Sequence, residues 1–217
     1  MATKRDGAER GGGLYALLSR SGVYALAQRL IGGEQSWRRY MNRLDLRAGD
    51  NVLDIGCGPG KIVEYLPRGV TLTGFDINAD YVAHARRTYG GRAEFFCESV
   101  AEATERPPRY DVALASGLLH HLDDREAERL FELAHAALLP GGRLITWDPV
   151  YVDSQSPIAR LLISRDRGRH VRTPETYLAL ARQLFPEATG EIIDDLLRIP
   201  YTHFVMSAEK RRPEPQC

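Results

Sequence analysis

Three glycines stand close together in the segment DIGCGPG, residues 54–60. They follow the apolar run NVLDI and precede KIVEYL, a segment with the spacing of a helix. Glycine allows a sharp turn and a close approach of the backbone to a ligand, and the first N–H groups of a helix lack partners within it. The spacing G-x-G-x-G differs from the G-x-G-x-x-G fingerprint of dinucleotide sites. The loop therefore predicts a small-molecule site, with a purely structural turn as the alternative.

An acidic residue, Asp76, ends the next apolar run, TLTGFD. A carboxylate at the end of the strand after a glycine loop can accept hydrogen bonds from both hydroxyls of a ribose. The alternative is that Asp76 caps the helix that follows. Together with the loop, Asp76 favours a ligand that contains a nucleoside.

Candidate acid–base residues accompany two later apolar runs. His120 and His121 follow YDVALAS, Asp148 lies near the end of GRLITWDP, and Tyr151 comes just after it. Histidine titrates near neutral pH, and a carboxylate can orient an amine or accept a hydroxyl proton. We predict His121, Asp148 and Tyr151 as catalytic residues. His203 could face the same site from a late strand.

Each of these side chains also has a simpler explanation. His121 could pack on the ligand or cap the following helix, and Asp148 could be a turn residue before a proline. A core or surface position is the alternative for His203.

The elements that must position these residues alternate regularly along residues 51–149. Near-continuous apolar strands separated by helices indicate a parallel sheet that is covered on both faces. The predicted strands are 51–56, 71–76, 93–98, 110–116 and 142–149, and the predicted helices are 61–66, 79–89 and 124–139. A capped helix from Thr173 and two closing strands joined at Pro200 follow. We predict a Rossmann-like, doubly wound α/β fold with a mostly parallel seven-stranded sheet.

One domain is predicted, at residues 14–210, between a disordered leader (1–13) and a flexible tail (211–217). Residues 14–44 are predicted to form an N-terminal helical cover. Residues 150–190 are predicted to form an insertion after the fifth strand, irregular over 150–172, that acts as a lid on the substrate.

The insertion is rich in arginine. ARLLISRDRGRHVR carries five arginines and one aspartate, and guanidinium groups suit carboxylate and phosphate recognition. Arg165 and Arg169 are four apart and would share a face of a helical turn, so we predict that they bind the substrate. A solvated loop is the alternative. Tyr24, with Tyr15 and Trp37, could close the substrate pocket or simply pack between helices.

Four segments in this order resemble the motifs of class I S-adenosylmethionine-dependent methyltransferases over about residues 44–149. They are VLDIGCGPG, GFDIN, YDVALASGLLHHLDD and LLPGGRLITWDP. The resemblance implies S-adenosylmethionine as the cofactor. The family usually has an aspartate at the position of Ser99, and here Glu98 precedes that serine, which puts the adenine contact in question.

The resemblance also implies a role for individual positions. Asp54 and the loop would contact the methionine part, Asp76 the ribose and Ile77 the adenine face, and Cys57 is interpreted as a small packing residue. Ser99 and Val100 would meet the adenine edge, and Ser116 and Leu118 would lie beside the sulfonium. The implied cofactor contacts are Asp54, Gly56, Cys57, Gly58, Asp76, Ile77, Ser99, Val100, Ser116 and Leu118.

The composition narrows the choice of partners. The 217 residues include 29 Lys+Arg and 29 Asp+Glu, and this zero net charge argues against nucleic acid or an anionic membrane as a partner. No apolar run approaches the roughly 20 residues of a membrane span. The N-terminus lacks the pattern of a signal peptide. Three cysteines without metal-ligand spacing fit a reduced, cytoplasmic protein with no metal site.

We therefore predict methyl transfer to an oxygen or nitrogen nucleophile of a small molecule, with an anionic acceptor as the finer hypothesis. The protein is expected to be a monomer or a homodimer. The alternatives are an RNA or protein methyltransferase, a nicotinamide-dependent reductase, and a non-catalytic S-adenosylmethionine-binding domain.

Overall fold

A seven-stranded sheet forms the centre of the computed structural model, which describes residues 33–100, 109–166 and 168–213. The strand order is β3-β2-β1-β4-β5-β7-β6. β1 to β5 run parallel, and β7 lies antiparallel to both β5 and β6. The strands are β1 Asn51–Ile55, β2 Thr71–Asp76, β3 Glu94–Cys97, β4 Tyr110–Ser116, β5 Leu138–Pro149, β6 Thr189–Ile193 and β7 His203–Glu209. The predicted doubly wound, mostly parallel sheet is confirmed.

Five α-helices accompany the strands in the described residues. They are α1 Gly33–Leu44, α2 Ala79–Tyr89, α3 Asp124–Ala137, α4 Pro157–Ser164 and α5 Pro174–Arg182. Polar side chains fix the start of several of them, as N-caps commonly do. Asn78 accepts from the first turn of α2, Asp123 and Glu126 form a capping box on α3, and Thr173 caps α5 as predicted.

Three elements differ from the prediction. KIVEY (Lys61–Tyr65) is a short 3-10 helix, because Leu66 precedes a proline and takes the extended backbone that such residues favour. α3 ends at Ala137, and β5 begins at Leu138, four residues before the predicted strand. The segment predicted to be irregular contains α4, which Ser156 caps and Pro157 begins.

Apolar side chains fill both faces of the sheet. On one face α3 and α5 bury Leu130, Phe131 and Tyr177 against the strands. On the other face α1 and α2 bury Tyr40 and Val82. Each fully buried large apolar side chain contributes about 1.5–3 kcal/mol to the stability of the fold. The two cores therefore fix the position of the strands whose ends carry the site.

α1 is fastened to the end of the chain as well as to the sheet. The Ser36 hydroxyl donates to the carbonyl of Leu196. Arg43 Nε lies 2.9 Å from Oε1 of Glu191, a residue of β6. α1 is the described part of the predicted N-terminal cover. Residues 1–32, with Tyr15 and Tyr24, lie outside the described residues. No helix in the described part of the chain is long and apolar enough to cross a membrane.

Candidate active site

The glycine loop is held against the end of β2. The N–H groups of Gly56 and Cys57 both donate to Phe75 O, at 2.9 and 3.0 Å. Gly56 and Gly58 have positive φ angles of 73° and 53°, which favour glycine. A Cβ on Gly56 would lie 2.9 Å from Leu118, whereas one on Gly58 would meet no atom within 4 Å. The backbone at Gly58 therefore borders open space.

Asp76 links the loop to the start of α2. Its Oδ2 accepts from Gly58 N at 2.9 Å, and its Oδ1 accepts from Asn78 N at 2.8 Å. A carboxylate offers about four lone-pair sites, so two of them are still available to hydroxyl groups. Asp76 therefore does not cap α2, since Asn78 does so, and its carboxylate keeps the capacity for a ribose contact.

A cavity of about 540 Å³ opens beside the loop, a size typical of small-molecule sites. Six of the implied cofactor contacts line it: Gly56, Asp76, Ile77, Ser99, Val100 and Leu118. Ile77 is 78% exposed, which leaves a large apolar side chain available to a planar ring. The opposite wall comes from the turn before α3 and its first helical residues, including Leu122, Arg125 and Arg129. Leu122 belongs to the segment YDVALASGLLHHLDD, but no motif includes Arg125 and Arg129, so the sequence did not predict these two lining residues.

Asp54, Cys57, Gly58 and Ser116 are not among the residues that line this cavity. Asp54 is buried, and burial, with a smaller contribution from the charge of Asp76, raises its pKa to about 7. Cys57 is buried where a Cβ on Gly74 would meet its side chain, and burial raises the pKa of its thiol. Its position agrees with the expected packing role.

A histidine–carboxylate pair lies at the carboxyl ends of β4 and β5. His120 Nδ1 is 2.7 Å from Asp148 Oδ1, and His120 N donates to the same oxygen at 3.1 Å. Both side chains are buried, at 5% and 2% exposure. The 3-10 turn Leu119–His121 directs His120 inward and leaves His121 exposed, with the two rings 4.1 Å apart. The structure therefore pairs His120 with Asp148, whereas the histidine predicted from the sequence to be catalytic was His121.

The insertion covers this histidine. His170 N donates to His120 O at 2.9 Å, and a Cβ on Gly168 would overlap the His120 ring. The Arg172 guanidinium donates to Leu119 O at 2.9 Å and to Leu122 O at 2.8 Å, and it also binds Asp124. Arg172 thus fastens the insertion to the turn that carries His120.

The arginines predicted to bind substrate are placed differently from the expectation. α4 ends at Ser164, so Arg165 and Arg169 do not share a helical face, and both are exposed. Tyr151 is half-buried, with the Arg160 guanidinium 5.3 Å from the centre of its ring. Tyr24 lies outside the described residues.

α1 contributes aromatic side chains that the sequence analysis missed or only suggested. The Tyr40 hydroxyl lies 2.7 Å from Ser116 Oγ, and burial raises the pKa of this tyrosine. Its ring is 4.6 Å from that of Trp147. Trp37 stacks on Tyr65 at 5.9 Å. Only the helical spacing of α1 hinted at Tyr40, since spacing does not show which buried residue reaches a strand end.

No group of three or more histidine, cysteine or acidic side chains in the described ranges is arranged to hold a metal ion.

The chain is similar to proteins described as methyltransferases. Residues 52–142 match the family described as Methyltransferase domain. The O-methyltransferase resE of Aspergillus sclerotiorum is 29% identical over 178 residues, which cover 77% of this chain and 60% of that protein. The 27-O-demethylrifamycin SV methyltransferase of Amycolatopsis mediterranei is 36% identical over 123 residues, which cover 54% of this chain and 44% of that protein. The chain spans less than two thirds of the length of these relatives.

Solved structures share the fold. A S-adenosylmethionine-dependent methyltransferase from Methanosarcina mazei matches with a TM-score of 0.61 and 23% identity, over 80% of this chain and 98% of that chain. A phosphoethanolamine N-methyltransferase 2 from Haemonchus contortus, solved with phosphomonomethylethanolamine and S-adenosylhomocysteine, matches with a TM-score of 0.71 and 16% identity, over 92% of this chain and 59% of that chain.

The glycine loop and the residues at the end of β2 fit S-adenosylmethionine. Open space at Gly58 leaves room for the ligand, Asp76 retains lone pairs for a ribose, and Ile77 exposes an apolar surface beside the cavity. With the strand order and the match of residues 52–142 to the family described as Methyltransferase domain, these features support a class I S-adenosylmethionine-dependent methyltransferase domain in this part of the chain.

Proposed function

We propose that the chain methylates an oxygen or nitrogen nucleophile of a small molecule, with His120 as the base. The observation that carries the proposal is the buried His120–Asp148 pair at the same sheet edge as the glycine loop. The relatives from Aspergillus sclerotiorum and Amycolatopsis mediterranei, both named as methyltransferases, support the reaction type.

We assign three residues to the cofactor. Asp76 would hold the ribose, Ile77 would pack on the adenine, and Asp54 would face the amino group of the methionine part. S-adenosylmethionine supplies a methyl group on a cationic sulfur, ready for in-line displacement. The protein then has to orient the nucleophile and, where that nucleophile carries a proton, to remove it.

The His120–Asp148 pair can remove the proton from the nucleophile. Asp148 Oδ1 accepts from the backbone N–H of His120, and its 2.7 Å contact with Nδ1 favours the tautomer with a proton on that nitrogen. Nε2 is then the nitrogen with a lone pair, so it is the atom that takes a proton from the acceptor. Asp148 orients the ring and stabilises the imidazolium that results.

The structure lends the anionic acceptor little support. Arg165 and Arg169 are exposed and lie beyond the end of α4, and Arg172 already binds backbone carbonyls and Asp124. An uncharged nucleophile agrees better with the buried carboxylate of Asp148.

The test compares two neighbouring histidines. With simple phenols, alcohols and amines as candidate acceptors, formation of S-adenosylhomocysteine reports turnover. We expect His120→Asn to lower kcat by about 100- to 10,000-fold and to leave S-adenosylmethionine affinity intact in calorimetry. His121→Asn is the matched control and should keep the wild-type rate. If both variants kept the wild-type kcat, positioning alone would drive the reaction.

Calorimetry also separates the alternatives. A reductase would bind NADH in preference to S-adenosylmethionine, and a non-catalytic binding domain would bind S-adenosylmethionine without turning over any acceptor.

A further inference from the structure

Arg172 is a buried arginine whose guanidinium is fully hydrogen-bonded. The residue is only 8% exposed. Its Nη1 donates to Leu119 O at 2.9 Å and to His170 O at 3.0 Å, and its Nη2 donates to Leu122 O at 2.8 Å. Asp124 Oδ1 accepts from Nε at 3.0 Å and from Nη2 at 2.7 Å. These contacts use every N–H donor that an arginine side chain has, so any part that Arg172 plays in the reaction is indirect.

The main chain of Arg172 is bound to the segment that leaves β5. Tyr151 N donates to Arg172 O at 3.1 Å, and Val150 forms a parallel bridge with Arg172. These two residues directly follow Pro149, the last residue of β5, and Asp148 lies just before that proline. The backbone of Arg172 is therefore fixed to the strand end that carries Asp148.

The side chain of Arg172 reaches the turn that carries His120. Leu119 is the first residue of that 3-10 turn, and Leu122 is the residue that ends it. A guanidinium is planar and rigid, so its two terminal nitrogens bind these two carbonyls at a fixed spacing. The path of the turn sets the direction of the His120 ring. One residue thus binds both halves of the pair, the strand end of Asp148 with its main chain and the turn of His120 with its side chain.

The strand end of Asp148 has further anchors that do not depend on the Arg172 guanidinium. The Tyr177 hydroxyl donates to Pro149 O at 3.1 Å, and β5 pairs with β4 on one side and with β7 on the other. The turn of His120 is a single 3-10 turn outside the sheet. Removal of the guanidinium should therefore displace His120 and leave Asp148 in place.

We propose that Arg172 is a positioning residue for methyl transfer. It holds His120 Nδ1 at 2.7 Å from Asp148 Oδ1 by clamping the turn of the histidine to the strand end of the aspartate. Its donors are all in use, so it acts through His120 and not by contact with the acceptor. The inference rests on the proposed function, in which His120 is the base.

The first measurement needs no substrate. A histidine Nδ1 proton that is hydrogen-bonded to a buried carboxylate exchanges slowly with water and gives a downfield proton resonance in NMR. The resonance of His120 is identified by its absence from His120→Asn. We expect Arg172→Met to broaden or remove this resonance, because the ring no longer keeps its contact with the carboxylate.

The matched control for this measurement is Arg143→Met. Arg143 Nη2 also donates to two backbone carbonyls, Leu44 O at 2.7 Å and Asp45 O at 2.9 Å, but neither belongs to the turn of His120. We expect Arg143→Met to leave the His120 resonance unchanged.

The second measurement is turnover with an acceptor that the wild type methylates. We expect Arg172→Met to lower kcat by about 100-fold, the effect of a misplaced catalytic group, with little change in KM for the acceptor or for S-adenosylmethionine. Arg172→Lys should recover part of the lost kcat, because an ammonium group can donate to the turn but lacks the planar fork. Arg143→Met should keep the wild-type kcat.

Three results would overturn the positioning role: an unchanged His120 resonance in Arg172→Met, a wild-type kcat in Arg172→Met, or an equal loss of kcat in Arg143→Met. If circular dichroism shows that Arg172→Met is unfolded, Arg172→Lys takes its place in both measurements, and wild-type behaviour of that variant would overturn the role. A wild-type kcat in His120→Asn would instead overturn the proposed function, and the resonance would still decide whether Arg172 holds the pair together.

Discussion

Asp54 is a buried acid at the end of β1, directly before the glycine loop. Burial raises its pKa from 3.8 to about 7, so between these values the folded protein keeps a proton that the unfolded chain has lost. Its contribution to the stability of the ligand-free protein therefore falls as the pH rises through this window. An ammonium group of a ligand prefers the ionised carboxylate, so binding and deprotonation are coupled.

We predict that S-adenosylmethionine binds more tightly as the pH rises towards about 7 and that its affinity then levels off. Below the pKa, affinity should change by at most about tenfold per pH unit, because one proton is released on binding. Calorimetry over a pH series measures both the affinity and the proton release.

The control for this pH dependence is Asp54→Asn, which should bind more weakly and with little dependence on pH. A variant that keeps the wild-type pH profile would show that the titrating group is elsewhere, such as the amino group of the cofactor.

The orientation of single side chains around His120 could not be predicted from the sequence. The motif GLLHHLDD identifies two histidines after β4, but only the backbone of a 3-10 turn decides that His120 points inward. Asp148 was identified because a carboxylate follows an apolar strand. Its partner His120 lies 28 positions away, and no local pattern records that contact.

At the scale of elements, the insertion after β5 acts as a cover on His120. Backbone atoms of this segment reach the histidine turn through His170, and Arg172 binds the turn from the side. Gly168 allows the close approach, because any Cβ there would overlap the imidazole.

We predict that Gly168→Ala lowers kcat/KM for the acceptor and leaves S-adenosylmethionine affinity unchanged. The added methyl group must displace either the insertion or the His120 ring, and a small misplacement of a catalytic group can cost about 100-fold in rate. Steady-state turnover and calorimetry on the same preparation measure the two effects.

Gly91→Ala is the matched control, since a Cβ at Gly91 would meet no atom within 4 Å. It should behave like the wild type in both measurements. A Gly168→Ala protein with normal turnover would show that the insertion tolerates a shift away from His120.

Elements with strong local signals were predicted closely, and the remainder depended on contacts that are distant in sequence. β2, β4 and α2 have the predicted bounds, because apolar runs and flanking caps specify them. β5 begins earlier than predicted, since Leu138 pairs with Tyr110 of β4 ahead of an irregularity in the register between Tyr110 and Val112. That partner is far away in the sequence.

At the scale of the whole molecule, the two ends of the described chain close the sheet around the site. α1 binds the segment before β7 through Ser36 and Arg43, and β7 inserts between β5 and β6. The predicted tail at 211–217 begins with residues that still make contacts, such as Arg211 Nη2 with Glu187 Oε1 at 2.6 Å. The alternating pattern of strands and helices predicted the layers, but the antiparallel insertion of β7 has no local signature.

Lys210 is the residue through which the end of β7 holds the junction between α3 and β5. Its Nζ donates to His135 O at 2.7 Å and to Leu138 O at 2.8 Å, and its backbone N donates to Gly142 O at 2.8 Å. A cation at the carbonyl end of a helix is also favoured by the helix dipole. One side chain thus joins the last strand to the helix and the strand that position His120 and Asp148.

We predict that Lys210→Met destabilises the protein by about 1–3 kcal/mol, because two partly buried carbonyls lose a charged donor. For a protein of this size, each kcal/mol lowers Tm by about 2–4 °C, which differential scanning calorimetry resolves. Arg211→Met is the matched control: it removes an ion pair whose side chains are 65% and 73% exposed, and such pairs contribute about 0–1 kcal/mol. If both variants melted at the same temperature, β7 would be held by its ladders with β5 and β6 without help from Lys210, and the cation at the end of α3 would add nothing to the assembly of the site.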